Sequence, residues 1–152
     1  GLGDVYKRQN LYDYMEDIHD SISAFAALDF HCNIITEENL PEIDIDPQLL
    51  KQALINLLKN AYEAMDKSGT VTIRVSSEND VVLIAVTDYG GGLDPAFADS
   101  IFEPFITSKN GGSGLGLVIT KQIVESHHGT IHCDSRSGDG CTFTLTLPLT
   151  QS

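Results

Sequence analysis

Residues 112–117 read Gly-Ser-Gly-Leu-Gly-Leu and open an apolar helical stretch that continues to about His128. Glycines at 112, 114 and 116 let the backbone come close to a bound group. The free amides at the start of the next helix then point at it, which suits phosphate oxygens. A bare flexible loop can show the same run, so its meaning depends on its neighbours. Asn56 and Asn60 stand four apart within Gln52–Met65. That spacing stacks two neutral amides on one helical face, where their oxygens suit a hard cation such as Mg²⁺. Asn is a poor mid-helix residue, and a merely solvated face would more naturally carry Lys or Glu.

Two further segments bear groups of the same kind. Asp88 closes the apolar run Val81–Val86 and precedes Tyr89-Gly-Gly-Gly-Leu93. A carboxylate at a strand end can accept a hydrogen bond from an exocyclic amine, and Gly90 and Gly92 leave room for a flat ring. An ordinary Asp-Gly turn is the plainer alternative. Ile101-Phe-Glu-Pro-Phe-Ile-Thr-Ser-Lys109 places two aromatics, Thr107 and Lys109 directly before the glycine loop. Lys109 is a natural phosphate partner as a point charge; a surface loop pinned by Phe102 and Phe105 is the alternative.

The elements that must hold these groups follow from periodicity. Asp46 can cap, and Pro47 can start, a helix whose stripe is Leu50, Leu54, Leu57, Leu58, Ala61 and Met65. An earlier helix carries Leu11, Met15, Ile18, Ile22 and Phe25 at helical spacing, with Tyr14 and Ala26, and is expected to pack on the domain's own sheet. Strands are predicted at Phe30–Thr36, Ile43–Ile45, Val71–Ser77 and Val81–Asp88, the last two joined through Glu78-Asn-Asp80. A short helix near Pro95–Ile101, a long one over Leu115–His128, and a hairpin of Ile131–Asp134 with Thr142–Leu147 complete the chain. The expectation is an α/β two-layer sandwich, with a mixed sheet of about five strands and three main helices on one face.

Taken in order, the four segments resemble the N, G1, F and G2 boxes of the ATP-binding catalytic domain of sensor histidine kinases. That domain belongs to the wider group shared with gyrase, Hsp90 and MutL, and has the Bergerat-type fold. Gly138-Asp-Gly-Cys-Thr-Phe-Thr-Leu-Thr-Leu-Pro148 is similar to its closing G3 segment. The compact lid between Phe105 and Gly114 and the Asn-Ala-Tyr-Glu-Ala stretch look most like the nitrogen-regulation type. The resemblance implies that Asn60 holds Mg²⁺, with Asn56 one turn before it, and that Asp88 recognises the adenine amine. It implies adenine-side roles for Gly90 and Gly92, and a lid and phosphate loop of Gly112, Ser113, Gly114, Leu115 and Gly116. Thr107 and Lys109 fall near the phosphates, and Thr142 lies in the G3 segment as a nucleotide contact. Cys141 stands where Ser or Thr is common, and Glu63 where many sensor kinases have a phosphate-binding lysine.

ATP-hydrolysing members of the wider group place a glutamate at the position of Asn56. An amide cannot act as a general base, so the site looks built to hold ATP for transfer rather than for hydrolysis. The implied function is donation of the γ-phosphoryl group to a histidine on a separate dimerisation domain, with a response-regulator receiver domain as final recipient. No catalytic residue is assigned within the chain, because none of His19, His31, His127, His128 and His132 lies in a phosphoacceptor motif. The alternatives are a stand-alone serine kinase of the anti-sigma-factor type, which Asn56 argues against, and a non-catalytic ATP-sensing module.

Composition agrees. A chain of 152 residues has room for one domain, here 10–149 with a tail at 150–152. Residues 1–9 fit no predicted element and are expected to be a non-native or disordered leader. The net charge of −13 makes nucleic acid and anionic membrane surfaces poor partners. Cys32, Cys133 and Cys141 lack metal-type spacing and read as reduced thiols. No apolar run approaches a membrane span. A cytoplasmic domain is expected, whether free or as the inner part of a membrane-bound sensor.

Overall fold

The computed structural model describes residues 6–90, 102, 116–136 and 139–151, with Arg136 described in its backbone only. Among the described residues there are seven strands, β1 (Lys7–Gln9), β2 (Phe30–Thr36), β3 (Ile43–Ile45), β4 (Gly69–Glu78), β5 (Val81–Asp88), β6 (Thr130–Arg136) and β7 (Gly140–Pro148). Three α-helices, α1 (Leu11–Ser21), α2 (Pro47–Ala64) and α3 (Gly116–Ser126), accompany them, and a 3₁₀ turn over Ile22–Ala24 extends α1. Strands β2-β4-β5-β7-β6 form the main sheet, mixed because β2 runs parallel to β4 while the remaining pairs are antiparallel.

Alternation along the strands decides which face meets the helices. In β5, Val82, Ile84, Val86 and Asp88 are buried, while Val81, Leu83, Ala85 and Thr87 are partly exposed. Cys141, Phe143, Leu145 and Leu147 of β7 lie opposite the buried set and join Val71, Ile73 and Val75 of β4 in the core. Leu11, Tyr14, Met15 and Ile18 of α1, and Leu50, Leu54, Leu57, Leu58 and Ala61 of α2, fill the same core. Each such side chain contributes roughly 1.5–3 kcal/mol by leaving water. The α1 stripe thus packs inside the domain, as expected.

The ends of the elements have local causes. Asn10 caps α1 by accepting from the Asp13 amide. Asp46 accepts from the Gln48 and Leu49 amides at the start of α2, with Pro47 in its first turn. The β4–β5 turn places Asn79 at φ 56°, a conformation Asn tolerates well. Helix α3 stops two residues before the sequence suggests. His128 takes the left-handed conformation at φ 60°, and the Gly129 amide donates back to the Val124 carbonyl. Gly129 cannot bear a Cβ there, which would meet the Thr146 carbonyl and Leu147.

One expectation needs correction. Residues 1–9 were set outside the fold, yet Lys7–Gln9 pair antiparallel with Ile43–Ile45. The pairing uses main-chain groups at the edge of β3 and demands little of side-chain type, so hydropathy gave no sign of it. The short helix expected near Pro95–Ile101 lies outside the described residues.

Candidate functional site

Three elements converge around Asp88. Strand β5 ends there with the carboxylate on the helix-facing side, and the residue is 3% exposed. Its Oδ1 accepts from the Gly90 amide at 3.0 Å, closing a tight local turn. Gly90 lies against the C-terminal turn of α2, where a Cβ would collide with the Ala64 carbonyl. On the other side Gly140, at φ +96°, lies on the Asp88 carbonyl and the Tyr89 Cα, leaving no room for a side chain. The Tyr89 amide also points at the Met65 sulfur, 3.5 Å away. Asp88 is therefore held from both flanks by backbone that must stay bare.

Helix α2 supplies the amides. Asn56 and Asn60 are both partly exposed, beside the fully buried stripe of Leu54, Leu57, Leu58 and Ala61. Asn56 Nδ2 donates to the Gly116 carbonyl at 3.4 Å, and the Thr120 hydroxyl donates to the same oxygen at 2.8 Å. Asn56 thereby ties α2 to the first turn of α3, and its side-chain oxygen remains on the polar side. Asn60, one turn further along, makes no side-chain hydrogen bond among the described residues, which leaves its amide oxygen for an outside group. Glu63 is exposed on the following turn.

The spacing of α2 and α3 is set at their far ends by His127, which the sequence places outside any phosphoacceptor motif. His127 is fully buried. Its Nε2 accepts from the Asp46 amide at 3.0 Å, and its Nδ1 lies 2.9 Å from the Ile123 carbonyl. Nε2 as acceptor requires the neutral tautomer with hydrogen on Nδ1, which donates to Ile123. The Asp46 side chain caps α2 while its amide is held by α3, so one junction fixes both helices. In the sequence, His127-His128-Gly129 marks a helix end and carries no sign of the bond to Asp46.

Of the residues expected in the site, Asn56 is tied to Gly116, Asn60 lies one turn further along α2, and Gly90 bonds Asp88 while lying against the last turn of that helix. Thr142 lies opposite Thr87 in the register, with the two hydroxyls 2.9 Å apart on the sheet face away from the helices. Cys141, one residue earlier, points to the Asp88 side, and Asp88 and Cys141 are register partners. The period-2 alternation of β7 thus assigns the inward position to Cys141 and corrects the expectation for Thr142. Gly92, Thr107, Lys109, Gly112, Ser113, Gly114 and Leu115 lie outside the described residues. Phe102 is described: its ring meets Phe143 edge-on with centroids 6.2 Å apart, and Lys121 Nζ lies 5.6 Å from its centroid. Phe102 itself packs against the core at that point.

Asp88 offers an acceptor to a donor amine, and the α2 amides offer neutral oxygens to a cation or polar group. The two bare glycines let backbone pack closely on both sides of Asp88 and so fix its position. The residues present fit a purine nucleotide with Mg²⁺: a buried acceptor at one end, neutral oxygens in the middle, and the first turn of α3 adjoining them.

Comparison with known proteins identifies the family. Residues 45–151 match the family model described as histidine kinase-, DNA gyrase B-, and HSP90-like ATPase. Sensor histidine kinase ZraS of Escherichia coli is 45% identical over 112 residues, covering 74% of this chain and 24% of that kinase. Sporulation kinase E of Bacillus subtilis is 35% identical over 150 residues, covering 97% of this chain and 20% of that kinase. The chain therefore spans about a fifth to a quarter of these relatives. The nucleotide-free catalytic domain of histidine kinase ThkA superposes with a TM-score of 0.81 at 28% identity, covering 95% of this chain and 96% of that one. ThkA solved in complex with the response regulator TrrA superposes with a TM-score of 0.77 at 26% identity, covering 95% of this chain and 42% of that one.

Proposed function

This chain belongs to the histidine kinase-, DNA gyrase B- and HSP90-like ATPase family, as a domain homologous to the catalytic domains of sensor histidine kinases, and we propose that it binds Mg²⁺-ATP and donates the γ-phosphoryl group to a histidine on a separate dimerisation domain. The observation that carries this reading is the buried Asp88 carboxylate, fixed between Gly90 and Gly140 at the end of β5, with the Asn56 amide bonded to the first turn of α3 and Asn60 one turn further along α2. Asp88 accepts the adenine amine. Asn60 offers its oxygen to the metal, with Asn56 adjacent. Gly92 is assigned with Gly90 to the adenine side, and Thr107, Lys109, Gly112, Ser113, Gly114, Leu115 and Gly116 to the lid and phosphate side.

Bound Mg²⁺ neutralises phosphate charge, and the protein's part in such a transfer is positioning rather than covalent chemistry. Asn56 cannot deprotonate water, and its amide is engaged with the Gly116 carbonyl. Hydrolysis by the isolated domain is therefore slow, and the acceptor comes from outside. A response-regulator receiver domain is the onward partner we infer, by analogy with the ThkA complex. A cytoplasmic setting, where ATP is available, follows from the same reading. No described helix is long and apolar enough to cross a membrane. Placement within the nitrogen-regulation type rests only on the lid length and the Asn-Ala-Tyr-Glu-Ala stretch, and the relatives named above bear other designations.

The test is calorimetric titration with a non-hydrolysable ATP analogue, with and without Mg²⁺, on the native protein and on Asn60→Ala. Micromolar binding that weakens without the metal or the asparagine is expected. A histidine-bearing dimerisation domain added in trans should then become labelled from ATP. Binding without any such transfer would convert the reading to an ATP-sensing module. A folded protein that binds nothing would end it.

A further inference from the structure

Two of the three cysteines meet beside the proposed base site. Cys133 of β6 and Cys141 of β7 are diagonal neighbours across the strand pair: Cys133 lies opposite Phe143, and Cys141 opposite Ser135. Both side chains lie on the helix-facing side, and their sulfurs are 3.1 Å apart. A disulfide needs about 2.05 Å, so closure asks the sulfurs to approach by roughly 1 Å. Cys141 is also the register partner of Asp88, and Gly140 beside it bears directly on the Asp88 carbonyl. We propose that Cys133 and Cys141 form a reversible dithiol–disulfide site, closed by hydroperoxides, whose closure weakens nucleotide-base recognition at Asp88; the second clause rests on the function proposed above.

The two thiols are unequal in a way that suits this chemistry. The hydrogen bond from Cys141 holds the Cys133 thiol below its ordinary value, whereas that bond and burial push Cys141 up. Cys133 is half-buried and reachable, while Cys141 is buried. The Cys133 thiolate attacks the peroxide O–O bond, giving a sulfenic acid and releasing an alcohol, or water when the oxidant is hydrogen peroxide. The Cys141 sulfur then attacks the sulfenic sulfur. Hydroxide leaves and takes the Cys141 proton as water, so two thiols and one hydroperoxide give one disulfide, one alcohol and one water. A small dithiol reverses the step by exchange. Closure draws Cys141 toward β6 and away from β5, and consumes the only thiol facing Asp88 from β7. Cys32 lies at the opposite edge of the sheet on β2, too remote to compete.

The experiment exposes the reduced protein to one equivalent of hydrogen peroxide and follows intact mass and linked peptides. Both forms are then titrated with the non-hydrolysable ATP analogue. A loss of two hydrogens, with a peptide joining Cys133 to Cys141, is expected. Analogue affinity should fall roughly three- to tenfold, the worth of one neutral hydrogen bond, and return with dithiothreitol. Cys133→Ser should bind like the reduced protein and ignore peroxide. Retention of both thiols, oxidation of one cysteine without linkage, or a disulfide that leaves affinity unchanged would each overturn the proposal. If the reduced protein binds no analogue, the functional reading and the affinity clause fail together, while mass alone still decides the disulfide.

Discussion

At the scale of single residues, Asp88 concentrates the specificity of the proposed site. An amide in its place keeps the volume and can still accept from Gly90, but it presents a donor where the carboxylate offered only acceptors. Asp88→Asn is expected to weaken ATP-analogue binding by about ten- to a hundredfold, the cost of one charge-assisted hydrogen bond, with little change in unliganded stability. Calorimetry alongside thermal melting checks both halves, and an unchanged affinity would remove Asp88 from the site. The cysteines offer a second check at this scale. Burial pushes the Cys32 thiol up to about 11, whereas Cys133 is held low by Cys141. Because the thiolate is the reactive form, iodoacetamide at neutral pH should alkylate Cys133 well before Cys32, as peptide mass mapping would reveal. For Cys32 the folded state keeps its proton more tightly than the unfolded chain. Its contribution to stability is therefore full below pH 9.0 and declines as pH rises toward 11.

At the scale of elements, the site depends on where strands and helices stop. Gly140 begins β7 in a left-handed conformation and lies on the Asp88–Tyr89 peptide. Gly140→Ala must strain the turn and displace that peptide, costing about 1–3 kcal/mol in denaturant unfolding and weakening the analogue in parallel. His127 acts at the opposite end of the helix pair. His127→Ala leaves the Asp46 amide without its acceptor and opens a cavity, a loss of about 2–4 kcal/mol. His127→Phe should recover only the packing part. Much of this architecture was legible in advance: Phe30–Thr36, Ile43–Ile45 and Val81–Asp88 have the limits their apolar patterns suggest, and Asp46-Pro47 announced α2. The contacts that decide the site were less so. The resemblance to the G3 segment implies a contact from Thr142, whereas the face it occupies depends on the register with β5. The roles of His127 and Gly140 come from neighbours eighty-one and fifty-two positions away in the chain, which no local pattern encodes.

At the scale of the whole molecule, the core lies between the helices and one face of the sheet. Helices cover one face of the sheet, and the other is mixed, with Thr142, Thr144, Thr146, Thr87 and Arg74 interspersed with partly exposed Leu83 and Ala85 and exposed Ile35. The molecule also carries a net charge of −13, a field that opposes ATP. Binding must therefore draw on local donors and on the metal, and the free energy it supplies should stabilise the whole fold by linkage. At a ligand concentration a hundred times the dissociation constant this amounts to about 2.7 kcal/mol. For a domain of this size that is a rise of roughly 5–10 °C in melting temperature. We expect the shift with the Mg²⁺-bound ATP analogue, a smaller one when the metal is chelated, and little at the same analogue concentration in Asn60→Ala, whose unliganded melting point should stay near the native value because Asn60 bonds to no described residue. Equal shifts in native protein and variant would show that the stabilising ligand binds somewhere other than the proposed site at α2, α3 and the end of β5.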